Sequence, residues 1–127
     1  MGQEIEAIGK HLLIVDDDID LCDVMREIAA AEGYEVIVAY EGNVFKELYT
    51  RYRPGRIILD LAIPDIDGLE LLNFLAGEHC DAMIIIASSH RKTIIDQAVK
   101  LGTLNGLRMV TALQKPFSSA ELKSSLA

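Results

Sequence analysis

The sequence lacks tryptophan, has only two cysteines, and contains no apolar run long enough to cross a membrane. Its longest uninterrupted apolar stretch runs from Ala82 to Ala87, whereas a membrane helix needs ~20 predominantly apolar residues. Cys22 and Cys80 lie far apart, and no C-x-x-C pair is present, so a disulfide framework is not expected. We therefore predict that both thiols are reduced and buried as small apolar side chains.

Positive charge is also scarce: 12 lysine and arginine residues stand against 20 aspartate and glutamate residues, a formal net charge of -8. Nonspecific nucleic-acid binding needs a basic surface that neutralises phosphates, so this class of partner is not expected. The N-terminal segment has no basic region followed by an apolar one, which argues against a secretory signal and favours a cytoplasmic location. A chain of 127 residues suits one domain with a sizeable core.

Strand-like and helix-like segments alternate along the chain, which indicates an α/β protein built from repeated strand and helix units. The predicted strands are 11–15, 35–39, 56–60, 83–87 and 108–113. The predicted helices are 19–32, 42–52, 68–77, 91–103 and 118–126. Gly33 and Gly102 stand near predicted helix C-termini, where left-handed geometry favours glycine. Ser118 and Glu121 have capping-box spacing. The pattern predicts a parallel, doubly wound sheet with helices on both faces.

Carboxylates follow the first and third predicted strands. Asp16 and Asp17 come directly after LLIV, and Asp60 ends IILD. Groups just beyond the carboxyl ends of the strands in an open α/β sheet face one crevice, so these three side chains are expected to converge. Because Mg²⁺ prefers carboxylate oxygens, the sequence predicts a magnesium site. Helix capping is the alternative role for acids here, and we assign it only to Asp18 or Asp20, since a cap does not require two adjacent acids.

A hydroxyl and a lysine follow the fourth and fifth predicted strands. Ser88 would donate a hydrogen bond to a bound phosphoryl group, and Lys115 would offset the added charge. Ala87 and Ser89 end the same strand as Ser88, so the register of the functional hydroxyl stays open. We expect Ser89 to be a helix-entry hydroxyl. The alternative for Lys115 is a solvated lysine before a turn.

In order, residue type and spacing, these segments resemble the receiver domain of bacterial two-component response regulators. The family has an acidic pair after strand one, a phospho-accepting aspartate in D-x-x-x-P-x-x-D-G, a hydroxyl after strand four and Lys-Pro after strand five. The residues that match are Asp16, Asp17, Asp60, Pro64, Asp67, Gly68, Ser88, Lys115 and Pro116. The likeness predicts a receiver domain over 10–127 after an N-terminal extension, 1–9. It implies a flavodoxin-like, five-stranded parallel sheet in the order 2-1-3-4-5, and a Lys-Pro bond that is commonly cis.

The resemblance implies a signalling module rather than an enzyme acting on other molecules. Asp60 would accept a phosphoryl group from a sensor histidine kinase or a phosphotransfer protein, with Mg²⁺ as cofactor. We expect Asp17 and Asp60 to bind the metal directly, Asp16 through water, and the backbone carbonyl of Ala62 to complete the protein ligands. An effector domain or protein and a second copy of the chain are further partners that this interpretation allows. No direct binding to nucleic acid or membrane is expected.

Two features depart from the family pattern. Ala112 stands where the family often has Tyr or Phe, and the segment from Ser88 to Lys115, with its LGTLNGLRM stretch, is longer than usual. A small alanine cannot act as a rotating aromatic gate. We therefore predict that a phosphorylation signal spreads mainly through the loop after strand four and the helix that follows it.

Two other functions stay open at this point. The D-x-D spacing of Asp16 and Asp18 superficially resembles the nucleophile motif of haloacid-dehalogenase-like phosphatases, but that motif expects Thr or Val where Asp20 stands, and no late acidic pair completes its metal site. A degenerate receiver would act only as a protein-interaction module, and the intact acidic set argues against it. Uptake of a phosphoryl group would distinguish the three functions.

Overall fold

The structure, a computed structural model, describes residues 10–127, so the predicted N-terminal extension, 1–9, lies outside the described residues. Strands and helices alternate throughout, and each begins and ends within one residue of its predicted bounds. In chain order they are β1 His11–Val15, α1 Ile19–Ala31, β2 Glu35–Ala39, α2 Gly42–Tyr52, β3 Arg56–Leu59, α3 Gly68–Gly77, β4 Met83–Ser88, α4 Lys92–Leu104, β5 Arg108–Gln114 and α5 Ser119–Leu126.

The strands of residues 10–127 form one parallel sheet in the order β2-β1-β3-β4-β5, which confirms the predicted fold. Val15 at the end of β1 pairs with Leu59 at the end of β3, and Leu59 in turn pairs with Ile86 in β4. The carboxyl ends of β1 and β3 are therefore level, and β4 continues past them to Ser88. The residues that follow them meet at one edge of the sheet, as expected for a doubly wound fold.

Alternate side chains of the central strands build a core on each face of the sheet. Leu13 and Ile57 pack on the side covered by α2, α3 and α4, whereas Leu12 and Ile58 pack on the side covered by α1 and α5. All four are at most 1% exposed, and full burial of such a side chain contributes about 1.5–3 kcal/mol. In the described part of the chain, no helix combines the length and hydropathy that a membrane span requires.

The helix ends follow local sequence signals, with one exception. Gly33 has the predicted left-handed φ of 91° after α1, and the Ser118–Glu121 capping box is formed at the start of α5. The expectation that Gly102 lies in left-handed geometry at a helix end is wrong, because α4 continues to Leu104 and Gly106 takes the positive φ. Gly102 lies inside the helix, where a Cβ atom would stand 2.5 Å from the sulfur of Met109.

The long segment between Ser88 and Lys115 is accommodated by α4 and β5. Helix α4 has 13 residues and β5 has seven. The β4–β5 register shifts between Ile84, which pairs with Met109, and Ile85, which pairs with Thr111. Val110 is therefore the extra residue of a β-bulge, which bends the strand locally without disturbing the pairing at its carboxyl end.

Candidate functional site

Three carboxylates meet at the carboxyl edge of the sheet. Asp16 follows β1 and Asp60 follows β3, and one oxygen from each of Asp16, Asp17 and Asp60 lies within 4.8 Å of the others. Asp16 and Asp60 are almost fully buried, at 1% and 3% exposed, whereas Asp17 is exposed. Solvent therefore reaches the cluster at Asp17, whereas Asp16 and Asp60 are shielded from it by the protein.

Lys115 supplies a positive charge inside this acidic cluster. Its Nζ lies 2.7 Å from Asp16 Oδ2 and 3.3 Å from Asp60 Oδ2, and its side chain is 18% exposed. Burial alone would lower the pKa of Lys115, but the hydrogen bond to Asp16 and the charge of Asp60 outweigh it and raise the pKa above 10.5. The lysine is therefore charged at neutral pH. The Lys115–Pro116 peptide bond is cis, the form that the resemblance implies.

The charge balance of the cluster suits a divalent cation. Burial raises the pKa of Asp16 above its usual value of 3.8, and the charge of Asp60 acts in the same direction. The hydrogen bonds from Lys115 and from the backbone N–H of Asp18 only partly oppose this rise. The single Lys115 ammonium is also fewer than the two buried carboxylates, Asp16 and Asp60, that it contacts. The donors are all hard oxygens, which are the ligands that Mg²⁺ prefers, so the acidic cluster fits such a metal ion.

Ser88 is the last residue of β4 and is fully buried beside Lys115. Its backbone carbonyl accepts a hydrogen bond from the Lys115 N–H at 2.7 Å, and its Oγ accepts one from the His90 N–H at 3.1 Å. The expectation that Ser89 caps the following helix is wrong. Ser89 is exposed, and His90 and Arg91 separate it from the first turn of α4. The hydroxyl that satisfies a loop amide here belongs to Ser88.

The loop from Asp60 to Asp67 folds back on itself next to the cluster. The Ala62 N–H donates to Asp60 Oδ1 at 3.0 Å, and Ala62 pairs with Asp67 in a short antiparallel bridge. Asp67 then caps α3 by accepting the Leu69 N–H at 2.8 Å. A Cβ atom on Gly68 would lie 2.6 Å from the Cα of Leu61, so this close approach requires glycine.

Asp65, in the same loop, was not predicted to have a specific partner. Its carboxylate accepts hydrogen bonds from the backbone N–H groups of Gly42 and Asn43, at 2.8 and 3.1 Å, at the start of α2. The Gly42 bond in particular holds the pKa of Asp65 below its usual value of 3.8. A sequence signal for this contact did exist, because Glu41, the residue before α2, is not among the side chains that commonly cap helices.

Other predicted residues lie around the cluster in supporting places. Asp18 is the N-cap of α1, accepting the Leu21 N–H at 3.1 Å, and Asp20 is exposed in the first turn. Ala112 is half-buried against the core on the α2–α4 side of the sheet. Gln114, which was not singled out, donates from Nε2 to the His90 carbonyl at 3.1 Å. It therefore joins β5 to the loop that follows Ser88.

The two cysteines are buried as predicted. Cys22 and Cys80 are both free thiols within residues 10–127. Burial, together with the nearby charge of Asp16, raises the pKa of Cys22 to about 12. The thiol stays protonated at neutral pH and fills space in the core beneath α1.

Known proteins share this fold and are similar in sequence. The sequence is 28% identical over 120 residues to sporulation initiation phosphotransferase F of Bacillus subtilis (strain 168), covering 94% of this chain and 92% of that protein. The receiver domain of a response regulator from Bermanella marisrubri superposes with a TM-score of 0.81 at 25% identity, covering 93% of this chain and 95% of the other.

A second solved structure is the CheX–CheY–BeF3–Mg²⁺ complex from Borrelia burgdorferi, with a TM-score of 0.81 and 25% identity over 97% of this chain and 90% of the other. The sequence model of the response regulator receiver domain matches residues 12–127, nearly the whole described chain. That span contains the acidic cluster, Ser88, Lys115 and the loop after Asp60. The chain therefore belongs to the response regulator receiver domain family.

Proposed function

We propose that this receiver domain accepts a phosphoryl group on Asp60 from a sensor histidine kinase or a phosphotransfer protein and acts as a phosphorylation-dependent switch. The observation that carries the proposal is the position of the Asp60 carboxylate. It is buried at a strand end, bonded to the Ala62 N–H and to Lys115, and close to Asp16 and Asp17. The name of the Bacillus subtilis relative, a phosphotransferase, agrees with this chemistry.

In the proposed reaction an Asp60 oxygen attacks phosphorus, the P–N bond of a phosphohistidine donor breaks, and the imidazole leaves with the electron pair and takes up a proton. Bound Mg²⁺ would neutralise charge on the transferring phosphoryl oxygens. Asp17 and Asp60 would bind the ion directly, Asp16 through water, and Ala62 through its backbone carbonyl. Lys115 is already charged beside Asp60, so it can pair with the phosphoryl group without a change of protonation.

Ser88 is the residue that would report the modification. Ser88 is buried, and its hydroxyl oxygen already accepts one N–H, so its proton is available to a phosphoryl oxygen. A ligand shifts an equilibrium only through contacts that differ between two states. Here the two states would differ in the contacts that Ser88 and Lys115 make with the phosphoryl group. The output would pass to an effector domain or protein, or to a second copy of the chain.

The alternatives fit the site less well. In a haloacid-dehalogenase-like phosphatase, Asp16 would be the nucleophile and Asp18 the acid. Here Asp16 accepts both the Asp18 N–H and the Lys115 ammonium, and the Asp18 side chain caps α1. A receiver that serves only as a binding module would have no need of a lysine paired with two buried carboxylates. We propose a signalling protein of the cytoplasm, catalysing only its own phosphorylation and dephosphorylation, with no direct contact to nucleic acid or membrane.

Intact-mass measurement after incubation with acetyl phosphate and Mg²⁺ tests the proposal. We expect the wild type to gain one phosphoryl group only when Mg²⁺ is present, and to lose it in hydroxylamine, because acyl phosphates react with that nucleophile. Asp60→Asn should gain none, whereas the matched variant Asp18→Asn should still be modified. Labelling that persists in Asp60→Asn and disappears in Asp16→Asn would favour the phosphatase. If the wild type gains no phosphoryl group, the chain would act only as a protein-interaction module.

A further inference from the structure

Helix α2 begins without a cap from its own segment. Glu41 occupies the N-cap position, and its side chain makes no capping hydrogen bond in the described structure. The first N–H groups of a helix have no intrahelical acceptor and must be satisfied elsewhere. Asp65 satisfies two of them from another part of the chain, with Oδ1 2.8 Å from the Gly42 nitrogen and Oδ2 3.1 Å from the Asn43 nitrogen.

The contact between the loop and α2 is closely packed as well as hydrogen-bonded. A Cβ atom on Gly42 would lie 2.9 Å from Cβ of Ile66, the residue after Asp65. Ile66 is itself buried, at 8% exposed. The helix terminus and the loop can thus approach this closely only because residue 42 is glycine. The side chains of Asp65 and Ile66 together fix the middle of the loop against α2.

The other end of this loop reaches the acidic cluster. Ala62 lies two residues after Asp60 and is tied back to it through its own N–H. On its far side Ala62 pairs with Asp67, whose carboxylate caps α3. The loop is therefore held at two helix N-termini, at α3 by Asp67 and at α2 by Asp65, and Ala62 lies between Asp60 and these two attachments.

We infer that Asp65 is a positioning residue for the metal site: by binding the N-terminus of α2, it holds the loop so that the Ala62 carbonyl and Asp60 face the same cation. The inference rests on the proposed function, in which Ala62 is a metal ligand. Metal affinity depends on how well the ligands are held before binding, because any freedom they lose on binding is subtracted from the affinity. An untethered loop would lower the affinity for Mg²⁺ without removing a ligand.

Three variants separate positioning from charge. Asp65→Ala removes both hydrogen bonds, and Asp65→Asn keeps one carbonyl oxygen as an acceptor. Glu41→Gln removes one negative charge from the same helix terminus and leaves the Asp65 bonds intact. Mg²⁺ titration would be followed by amide NMR of Ala62, with Gly42 and Asn43 amides reporting on the cap, and urea unfolding would verify that each variant is folded.

We expect Asp65→Ala to weaken Mg²⁺ binding about tenfold, the low end for loss of a partner that orients a metal ligand. Asp65→Asn should fall between this variant and the wild type, and Glu41→Gln should bind like the wild type. The Mg²⁺ concentration for half-maximal phosphorylation should rise in parallel, with the rate at saturating Mg²⁺ unchanged. If Asp65→Ala does not fold, the Mg²⁺ affinity of Asp65→Asn is the test, and we expect it to be lower than that of the wild type.

Two results would overturn the inference. In the first, Asp65→Ala binds Mg²⁺ with wild-type affinity although its Gly42 and Asn43 amides have shifted. This outcome would reduce Asp65 to a cap for α2 and would leave the proposed function standing. In the second, the wild type itself neither binds Mg²⁺ nor takes up phosphate, which would remove the proposed function and the inference together.

Discussion

Lys115 and Asp16 form the shortest ion pair among the described residues, with Nζ 2.7 Å from Oδ2, and they join the end of β5 to the end of β1. Asp16 is buried, and the Lys115 side chain is 18% exposed. Removing one partner of a buried pair leaves the other charge uncompensated, which costs more than the pair itself contributes.

Lys115→Ala should therefore destabilise the metal-free protein by about 3 kcal/mol in urea unfolding. Because Mg²⁺ binds the folded state and supplies positive charge to the same carboxylates, it should stabilise this variant more than the wild type. Lys92→Ala is the control. Its pair with Asp96 is exposed on α4, and such pairs contribute less than about 0.5 kcal/mol. Equal stability of Lys115→Ala and the wild type without metal would contradict the prediction.

Two neighbouring acids should separate metal binding from stability. Asp17→Ala removes a proposed metal ligand that is exposed and should abolish Mg²⁺ binding, with little change in the unfolding midpoint. Asp18→Ala removes the N-cap of α1 and should cost about 1 kcal/mol of stability while Mg²⁺ still binds. Calorimetric titration and urea unfolding of both variants provide the two measurements. Unchanged Mg²⁺ affinity in Asp17→Ala would show that the proposed set of metal ligands is wrong.

The path of the signal can be mapped with beryllofluoride, which mimics a phosphoryl group. The Ser88 hydroxyl accepts the His90 N–H, and the Gln114 side chain donates to the His90 carbonyl. Ala112 has no aromatic ring that could rotate inward. We therefore expect the amide resonances of 88–103 to shift more than those of 110–113. Asp60→Asn, treated identically, should show no such shifts. Equal or reversed perturbation of the two segments would show that the missing aromatic does not redirect the signal.

Two glycines of α3 should respond to alanine in opposite directions. At Gly68 a Cβ atom would meet the Leu61 backbone at 2.6 Å, so Gly68→Ala should lower stability by about 1–3 kcal/mol through overpacking. At Gly77 no atom lies within 4 Å of that position, and Gly77→Ala should raise stability by about 0.5 kcal/mol through backbone entropy. Chemical denaturation of both proteins measures the difference. Stabilisation by Gly68→Ala would mean that the loop and helix separate easily.

Stability should depend on pH through Asp65. Since its pKa is held below 3.8 by the Gly42 and Asn43 N–H groups, it contributes stability that is present above pH 3.8 and is lost as the pH falls through the folded-state value. The difference in stability between wild type and Asp65→Ala should be constant near neutral pH and should shrink below pH 3.8. Urea unfolding at a series of pH values tests this. If the stability difference between wild type and Asp65→Ala persists in acid, it arises from side-chain packing and not from the charged carboxylate.

Most of the fold could be predicted because its signals are local. Buried parallel strands appear as short apolar runs, and turn residues and helix caps mark where the following helices begin. The positions of Asp16, Asp60 and Lys115 at strand ends followed from those runs. The direct ion pairs of Lys115 with Asp16 and Asp60 could not be predicted, because they depend on distances between side chains that follow separate strands.

The errors and omissions occur where a specific contact, and not local propensity, decides what a residue does. Gly102 is predicted near a helix end in left-handed geometry, but it lies inside α4 and close to Met109 in the next strand. Ser89 was expected to cap α4, whereas the buried Ser88 takes the loop amide. Asp65 accepts hydrogen bonds from Gly42 and Asn43, which lie far earlier in the chain, so its acceptor role is visible only in the folded structure. Local propensity does not encode such tertiary contacts.

The bulge at Val110 also bears on how an outer strand of the sheet could pair with another molecule. Strand β5 is an outer strand of the described sheet, and its sequence, RMVTALQ, has Val and Thr near its middle, two residues that favour extended backbone. A straight outer strand with exposed Val110 would offer a regular row of unpaired amides to another molecule, which is the usual start of edge-to-edge aggregation. The extra residue interrupts that row and increases the local twist. The bulge thus makes the β5 edge a poorer partner for a strand of another molecule.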